Sequence, residues 1–116
     1  MVRAGRQATG QAGLASDFAS WDDVVNWGLP LYALDPESAP SIVKKGAEIR
    51  SEHPGEPSRQ VVAALNFVQE EIRYLGVEID SQSLVPSALN ETLSRRWGDC
   101  KDKSMLLIAL LKELNI

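Results

Sequence analysis

The stretch Trp97-Gly98-Asp99-Cys100-Lys101-Asp102-Lys103, followed by the largely apolar run Ser104 to Leu111, decides the prediction of the fold. Asp99 is a favourable N-cap, and Asp102 stands three residues later, as in a capping box. These signals predict a helix from Cys100 to about Leu114. Seven consecutive apolar residues leave this helix without a polar face, so we expect it to be buried on most sides.

Cys100 is the only cysteine of the chain, and it falls on the first residue of the predicted helix. Unpaired backbone N–H groups and the positive end of the helix macrodipole lie at that position. A thiol there is biased towards the thiolate, which is the nucleophilic form. Two interpretations stay open on this basis: Cys100 is a nucleophile, or it is a small buried residue without a chemical role.

Length, composition and charge restrict the class of protein. The 116 residues suit one small domain or part of a larger one, and a single cysteine excludes an internal disulfide. The net charge is −4 and the basic residues are scattered, so we expect no nucleic-acid partner. No apolar run approaches the roughly 18 residues of a membrane span. Residues 1–13 lack the apolar core of a signal peptide, so the signal of an exported protein would have to lie outside this chain.

Caps, breakers and apolar spacing predict four further helices and almost no strand, so the expected fold class is mainly α. These helices are expected from Trp21 to Gly28 with a kink or short continuation to Ala33, from Ala39 to Glu52, from Arg59 to Leu75 with Ser58 as N-cap, and from Ala88 to Arg95. We expect residues 1–16 to be a flexible leader and residues 17–116 to form the helical domain. A short extended segment is expected over residues 77–80, with a loop over residues 81–85.

Apolar spacing also predicts which side chains face inwards. They are Val24, Trp27 and Leu31 in the first helix, Ile42, Val43, Ala47 and Ile49 in the second, Val61, Leu65, Val68, Ile72 and Leu75 in the third, and Leu89, Leu93 and then Trp97 in and after the fourth. Trp21 and Trp27 are either binding residues or packing anchors, and their spacing favours packing.

The only histidine, His53, lies in a Pro/Gly-rich breaker. We expect a solvated residue at a helix C-terminus, where a partial positive charge is favourable, rather than a catalytic base beside Cys100. The acidic pairs of the chain stand at helix starts, where capping explains them, and nothing matches the ligand spacing of a metal site. No cofactor is therefore expected.

Three parts of the chain resemble the transglutaminase-like domain: Asn66-Phe-Val-Gln-Glu-Glu-Ile-Arg-Tyr-Leu-Gly-Val-Glu-Ile79, Pro86, and Arg95-Arg-Trp-Gly-Asp-Cys-Lys-Asp-Lys-Ser-Met-Leu-Leu107. More narrowly, they look like bacterial proteins in which this domain follows an N-terminal β-rich domain. The segment from Ser16 to Trp27 is similar to the segment that leads into the domain in those proteins. The resemblance thus covers residues 16–116, and the Gly-Asp-Cys-Lys-Asp-Lys core is its most specific part.

The resemblance implies a papain-like α+β fold, in which a cysteine at a helix N-terminus packs against an antiparallel sheet carrying a histidine and an aspartate. It implies that the Cys100 thiolate attacks an amide or ester carbonyl and that the acyl group passes to an amine or to water. The family's histidine and aspartate follow the cysteine in chain order and have no counterpart here. We therefore expect this chain to be the helical part of such a domain, without the sheet and inactive alone.

The family suggests peptide or protein amides as substrates. Calcium is required by some members, but no acidic loop of that kind is visible in this sequence. A hypothesis from another class is a non-catalytic helical module that forms homo-oligomers through residues 104–114. Burying a leucine-sized side chain contributes about 1.5–3 kcal/mol, so an uncovered apolar helix would drive association.

Overall fold

In the computed structural model, which describes residues 16–76 and 84–116, the chain is mainly helical. This confirms the predicted mainly α class. The chain divides into two compact units, of which the first ends at Ala33 and the second begins at Leu34. The extended segment expected over residues 77–80, the loop expected from residue 81 to 83, and residues 1–15 of the expected leader lie outside the described residues.

The first unit contains helix α1, Trp21–Gly28, followed by a 3₁₀ turn at Leu29–Tyr32. The helix begins at Ser20, whose Oγ accepts a hydrogen bond from the Asp23 N–H at 3.2 Å. Asp23 Oδ2 accepts in return from the Ser20 N–H at 3.1 Å, which completes a capping box. The predicted helix and its short continuation are confirmed.

The two tryptophans of α1 differ in their surroundings. Trp27 is half-buried, and its ring centroid lies 5.8 Å from that of Phe18. Trp21 is 83 % exposed, so the prediction that both tryptophans are packing anchors is wrong for Trp21. No residue of α1 is buried.

The second unit carries four α-helices and two very short strands among the described residues. They are α2 Ala39–Glu52, α3 Pro57–Asn66, β1 Arg73–Tyr74, α4 Leu89–Arg95, β2 Trp97–Gly98 and α5 Cys100–Glu113. A 3₁₀ turn at Pro36–Ser38 precedes α2, and a π-helical turn at Phe67–Glu71 continues α3. The strands pair in parallel, with Arg73 opposite Trp97 and Tyr74 opposite Gly98.

Helix α5 lies against α2, α3 and α4 and forms the centre of the core. Its buried apolar residues are Met105, Leu106, Ala109 and Leu110, with Leu114 just after its end. They pack with Ile42, Ile49, Ala64, Phe67, Val68, Ile72 and Leu89. The expected burial of α5 is confirmed for its buried apolar residues, but Ile108, on the remaining face of the helix, is 52 % exposed.

The third predicted helix is shorter than expected. Regular α-helix ends at Asn66 and the π-helical turn at Glu71, and Ile72 adopts an extended conformation. The chain turns extended because the Arg73 N–H donates to the Arg96 carbonyl at 2.8 Å and the Leu75 N–H to that of Gly98 at 2.9 Å. Leu75, expected to face inwards, is exposed for this reason. Leu65, also expected to face inwards, is exposed within the regular part of α3.

Two details of the predicted helices need correction. Ser58 is not the N-cap of α3, because the helix begins with Pro57, whose fixed backbone suits the first helical position. In α2, Val43 and Ala47 are exposed. The buried row is Ile42, Gly46 and Ile49, since a Cβ on Gly46 would lie only 2.6 Å from Glu113 Cγ of α5.

Strand β2 lies equally close to the first turn of α5. A Cβ built on Gly98 would lie 2.6 Å from the Cβ of Asp102 and 3.0 Å from its Oδ2. Both residues are buried. Only glycine therefore fits between the strand and the helix start.

We predict that Gly98→Ala lowers the free energy of unfolding by about 1–3 kcal/mol, because the added methyl group overpacks a buried contact. Urea unfolding followed by circular dichroism measures this change. Gly28→Ala is the matched control, since nothing lies within 4 Å of a Cβ at Gly28. Equal effects of the two substitutions would contradict the close contact at Gly98.

Candidate active site

The start of α5 has the predicted capping box. Asp99 Oδ1 accepts a hydrogen bond from the Asp102 N–H at 3.1 Å, and Asp102 Oδ2 accepts from the Asp99 N–H at 3.1 Å. Cys100 is the first residue of the helix, as expected, and it is exposed. The interpretation of Cys100 as a small buried residue is therefore wrong.

Asp102 connects the helix start to the segment around α4. Its Oδ1 accepts from the Ser87 N–H at 2.7 Å, and its Oδ2 accepts from Arg95 Nη2 at 3.0 Å. The residue is only 4 % exposed. A buried carboxylate requires such partners, because an unpaired charge in the interior is costly. Asp102 therefore fixes the position of Cys100 relative to α4.

Arg95 supports this arrangement from the last residue of α4. Its Nε donates to the Trp97 carbonyl at 2.8 Å, and its Nη2 also donates to Ser87 Oγ at 2.9 Å. The guanidinium lies over the Trp97 ring, with Cζ 3.8 Å from the centroid, in cation–π geometry. Arg96 then adopts a left-handed conformation with φ of 61°, which ends α4 and sends the chain into β2.

Two lysines near Cys100 have defined partners. Lys103 Nζ donates to the Ile72 carbonyl at 2.7 Å, which joins α5 to the segment before β1. Lys101 Nζ donates to Asp99 Oδ2 in an ion pair whose side chains are only 13 % and 11 % exposed. Asp99 thus uses one oxygen as the helix cap and the other to bind Lys101.

This ion pair shifts the titration of both partners. Burial raises the pKa of Asp99, but the hydrogen bonds from Lys101 Nζ and from the Asp102 N–H outweigh burial and hold that pKa below its usual 3.8. The hydrogen bond to Asp99 raises the pKa of Lys101 above its usual 10.5, against the effect of burial. Both residues therefore stay charged across the neutral range.

The backbone N–H groups at the start of α5 differ in whether they find an acceptor among the described residues. The N–H groups of Asp99 and Asp102 donate to the carboxylates of the capping box. The Cys100 N–H has no acceptor within residues 16–76 and 84–116. An exposed thiol thus stands next to an unpaired donor at the positive end of a helix.

His53 does not lie at this site. It caps the C-terminus of α2, and its carbonyl accepts from Gln60 Nε2 at 2.8 Å. Arg50, one turn earlier in α2, binds Glu113 at the last residue of α5. Since α5 has 14 residues, Glu113 is about 20 Å from Cys100 along the helix, and His53 lies towards that opposite end. The expected position of His53 at a helix C-terminus is confirmed.

In the part of the chain that the structure describes, no three or more histidine, cysteine, aspartate or glutamate side chains are grouped so that they could hold a metal ion. No helix in the same part has both the length and the apolar character that crossing a membrane requires.

Comparisons with known proteins add no family assignment. No protein-family model, curated protein sequence or solved structure matches this chain.

Cys100 and its capping box are predictable from the sequence, whereas the support of the helix start by Ser87 and Arg95 is not. The position of Arg95 at the end of α4 indicates only a favourable charge at the negative end of that helix. Its real partners are a backbone carbonyl two residues later, a serine eight residues earlier and an aspartate on another helix. The run Arg95-Arg96-Trp97 carries no local signal for such partners.

We predict that the Asp99 carboxylate stabilises the fold at neutral pH and loses this effect in acid. Its pKa is lowered on folding, so its contribution is complete above the unfolded value near 3.8 and disappears as pH falls through the lower folded value. Asp99→Asn keeps a good N-cap but removes the charge. Wild type should be more stable than Asp99→Asn by roughly 1–3 kcal/mol at pH 7, with a smaller difference at pH 2–3. A difference that is the same in urea titrations at both pH values would contradict this prediction.

Proposed function

We propose that Cys100 is the nucleophile of a transglutaminase-like cysteine acyltransferase or peptidase that acts on amide bonds of peptides or proteins. The observation that carries this proposal is the exposed thiol at the first residue of α5, beside its own N–H, which has no acceptor among the described residues. The resemblance of the Gly-Asp-Cys-Lys-Asp-Lys stretch supplies the reaction class and the papain-like fold. The helices described above would then be the helical part of that fold.

The proposed chemistry begins when the Cys100 thiolate attacks the carbonyl carbon of an amide. A bond forms between Sγ and carbon, and the carbonyl oxygen takes up the negative charge, which the Cys100 N–H is placed to stabilise. When this intermediate collapses, the carbon–nitrogen bond breaks and the amine leaves with a proton. Water or another amine then attacks the thioester and releases the thiolate.

The leaving amine needs a proton donor. General acid–base catalysis typically contributes about 10²–10⁴-fold, and in the family this role belongs to a histidine. The only histidine of this sequence, His53, lies towards the other end of α5. We therefore expect a reactive thiol in this chain, and turnover only when a histidine is supplied to Cys100 from another segment.

We predict that Cys100 reacts with iodoacetamide at a lower pH in the folded chain than in the same chain unfolded in urea. The positive end of α5 favours the thiolate, so the rate–pH curve of the folded chain should be displaced to lower pH. The measurement is the alkylation rate between pH 5 and 10, followed by mass spectrometry.

A matched control moves the thiol one turn along the same helix. In the double variant Cys100→Ser with Ser104→Cys, the cysteine occupies an exposed position of α5 beyond the first turn. The macrodipole effect falls off within that turn, so this thiol should show a smaller displacement. A folded-chain curve for Cys100 at or above the pH of the unfolded chain would reject Cys100 as an activated nucleophile.

A second candidate function is self-association through residues 104–114. The observation that favours it is Ile108, which is 52 % exposed between the half-buried Leu107 and Leu111 on the open face of α5. In this proposal a second copy covers that face. It is compatible with the first candidate, because the two use different groups on α5.

We predict that the chain has a weight-average mass above the monomer's 12.7 kDa at tens of micromolar, and that Ile108→Lys restores the monomer. Light scattering after size-exclusion chromatography measures both. Val62→Lys, at a 54 % exposed position on α3, is the control and should leave the mass unchanged. A monomeric wild-type chain would refute self-association.

A further inference from the structure

The Asp99–Lys101 ion pair encloses Cys100 in sequence, with one partner on each side of the thiol residue. Asp99 is the N-cap and Lys101 the second residue of α5. The pair is largely shielded from solvent, since the side chains of Lys101 and Asp99 are 13 % and 11 % exposed. Shielded charges are weakly screened, so this pair contributes to the field at the helix start at ordinary ionic strength.

An aspartate cap creates an electrostatic conflict beside a thiolate. Like charges close together disfavour ionisation, so the carboxylate of Asp99 alone would oppose an ionised Cys100. Serine or asparagine caps a helix equally well without a charge. The ammonium of Lys101 on the second oxygen of Asp99 offsets this charge.

Among the described residues, the other charged groups at this end of α5 do not bind the carboxylate of Asp99. Neighbouring elements bring Arg95 at the end of α4, Arg96 before β2, Glu71 before β1, and Arg73 and Tyr74 in β1. Arg95 binds Asp102 at 3.0 Å, and Arg96 lies 4.0 Å from Glu71. On α5 itself, Lys103 donates to a backbone carbonyl. Lys101 is the cation that binds Asp99.

We propose that Lys101 is a positioning residue that compensates the charge of Asp99, so that a carboxylate can cap α5 without opposing the Cys100 thiolate. This inference rests on the proposed function, because it concerns the ionised form of the proposed nucleophile. It assigns the lysine of the Gly-Asp-Cys-Lys-Asp-Lys stretch a role that differs from capping and from chain packing. Removing the charge of Lys101 and removing the charge of Asp99 should displace the rate–pH curve of Cys100 alkylation in opposite directions.

The test is the pH dependence of Cys100 alkylation in a double-mutant cycle. Lys101→Met should displace the rate–pH curve to higher pH and slow alkylation at pH 7 by roughly three- to tenfold, because Asp99 is left uncompensated. Asp99→Asn should displace the curve to lower pH. The double variant should return close to the wild-type curve, since both charges are then absent.

Two further variants distinguish the effect of the local charge at Lys101 from an effect of misfolding and from an effect of the net charge of the chain. Lys101→Arg keeps the cation and should keep the wild-type curve. Lys112→Met removes the same charge from the exposed far end of α5 and should leave the curve unchanged. Circular dichroism checks that each variant is folded, and Lys101→Gln replaces Lys101→Met if the latter unfolds.

The outcomes distinguish this inference from the proposed function. If wild-type Cys100 reacts at lower pH than the unfolded chain but Lys101→Met leaves the curve in place, compensation is overturned and the nucleophile proposal stands. If the two single variants move in opposite directions while wild type matches the unfolded chain, compensation stands and the activated nucleophile is rejected. Displacement of both single variants in the same direction would indicate a purely structural pair and would overturn the inference.

Discussion

The two carboxylate oxygens of Asp102 accept hydrogen bonds from the N–H groups of Ser87 and Asp99 and from the guanidinium of Arg95, while the residue itself is 4 % exposed. A carboxylate at this depth is tolerated only with such partners. Because the three donors belong to the segment before α4, the last residue of α4 and the residue that caps α5, one side chain sets their relative positions. The place of Cys100 follows from this constraint.

The residues around Cys100 therefore have structural roles, which explain much of the Gly-Asp-Cys-Lys-Asp-Lys stretch without any catalytic role. Gly98 leaves room for the first turn of α5, Asp99 caps it, and Lys103 binds the carbonyl of Ile72. The thiol of Cys100 is the side chain of this stretch that the fold leaves exposed at the positive end of the helix. Hydrogen bonds thus hold the residues on both sides of this exposed thiol, and a fixed position of the reacting atom is one requirement of the nucleophilic role proposed for Cys100.

Local signals predicted much of this structure, and long-range contacts account for the errors. The capping box at Asp99 and the bounds of α1 and α2 depend on nearby residues, and they were predicted correctly. The end of α3 was not, because pairing of β1 with β2 overrides helix propensity at a distance of over 20 residues. The contacts of Arg95 with Asp102 and Ser87 were also missed, because they join separate segments that lie 7 and 8 residues away along the chain. Exposure of Val43 follows from the close approach of α5 at Gly46, which apolar spacing alone does not reveal.

The measurement that tests this account most directly is native-state hydrogen exchange of individual backbone amides by NMR. The N–H groups of Ser87 and Asp99 donate to Asp102, whereas the Cys100 N–H has no acceptor in the described part of the chain. We predict slow exchange at Ser87 and Asp99, fast exchange at Cys100, the first residue of α5, and selective loss of the slow exchange in Arg95→Met. Exchange of Ser87 and Asp99 at the rate of an unstructured peptide would contradict the central role of Asp102.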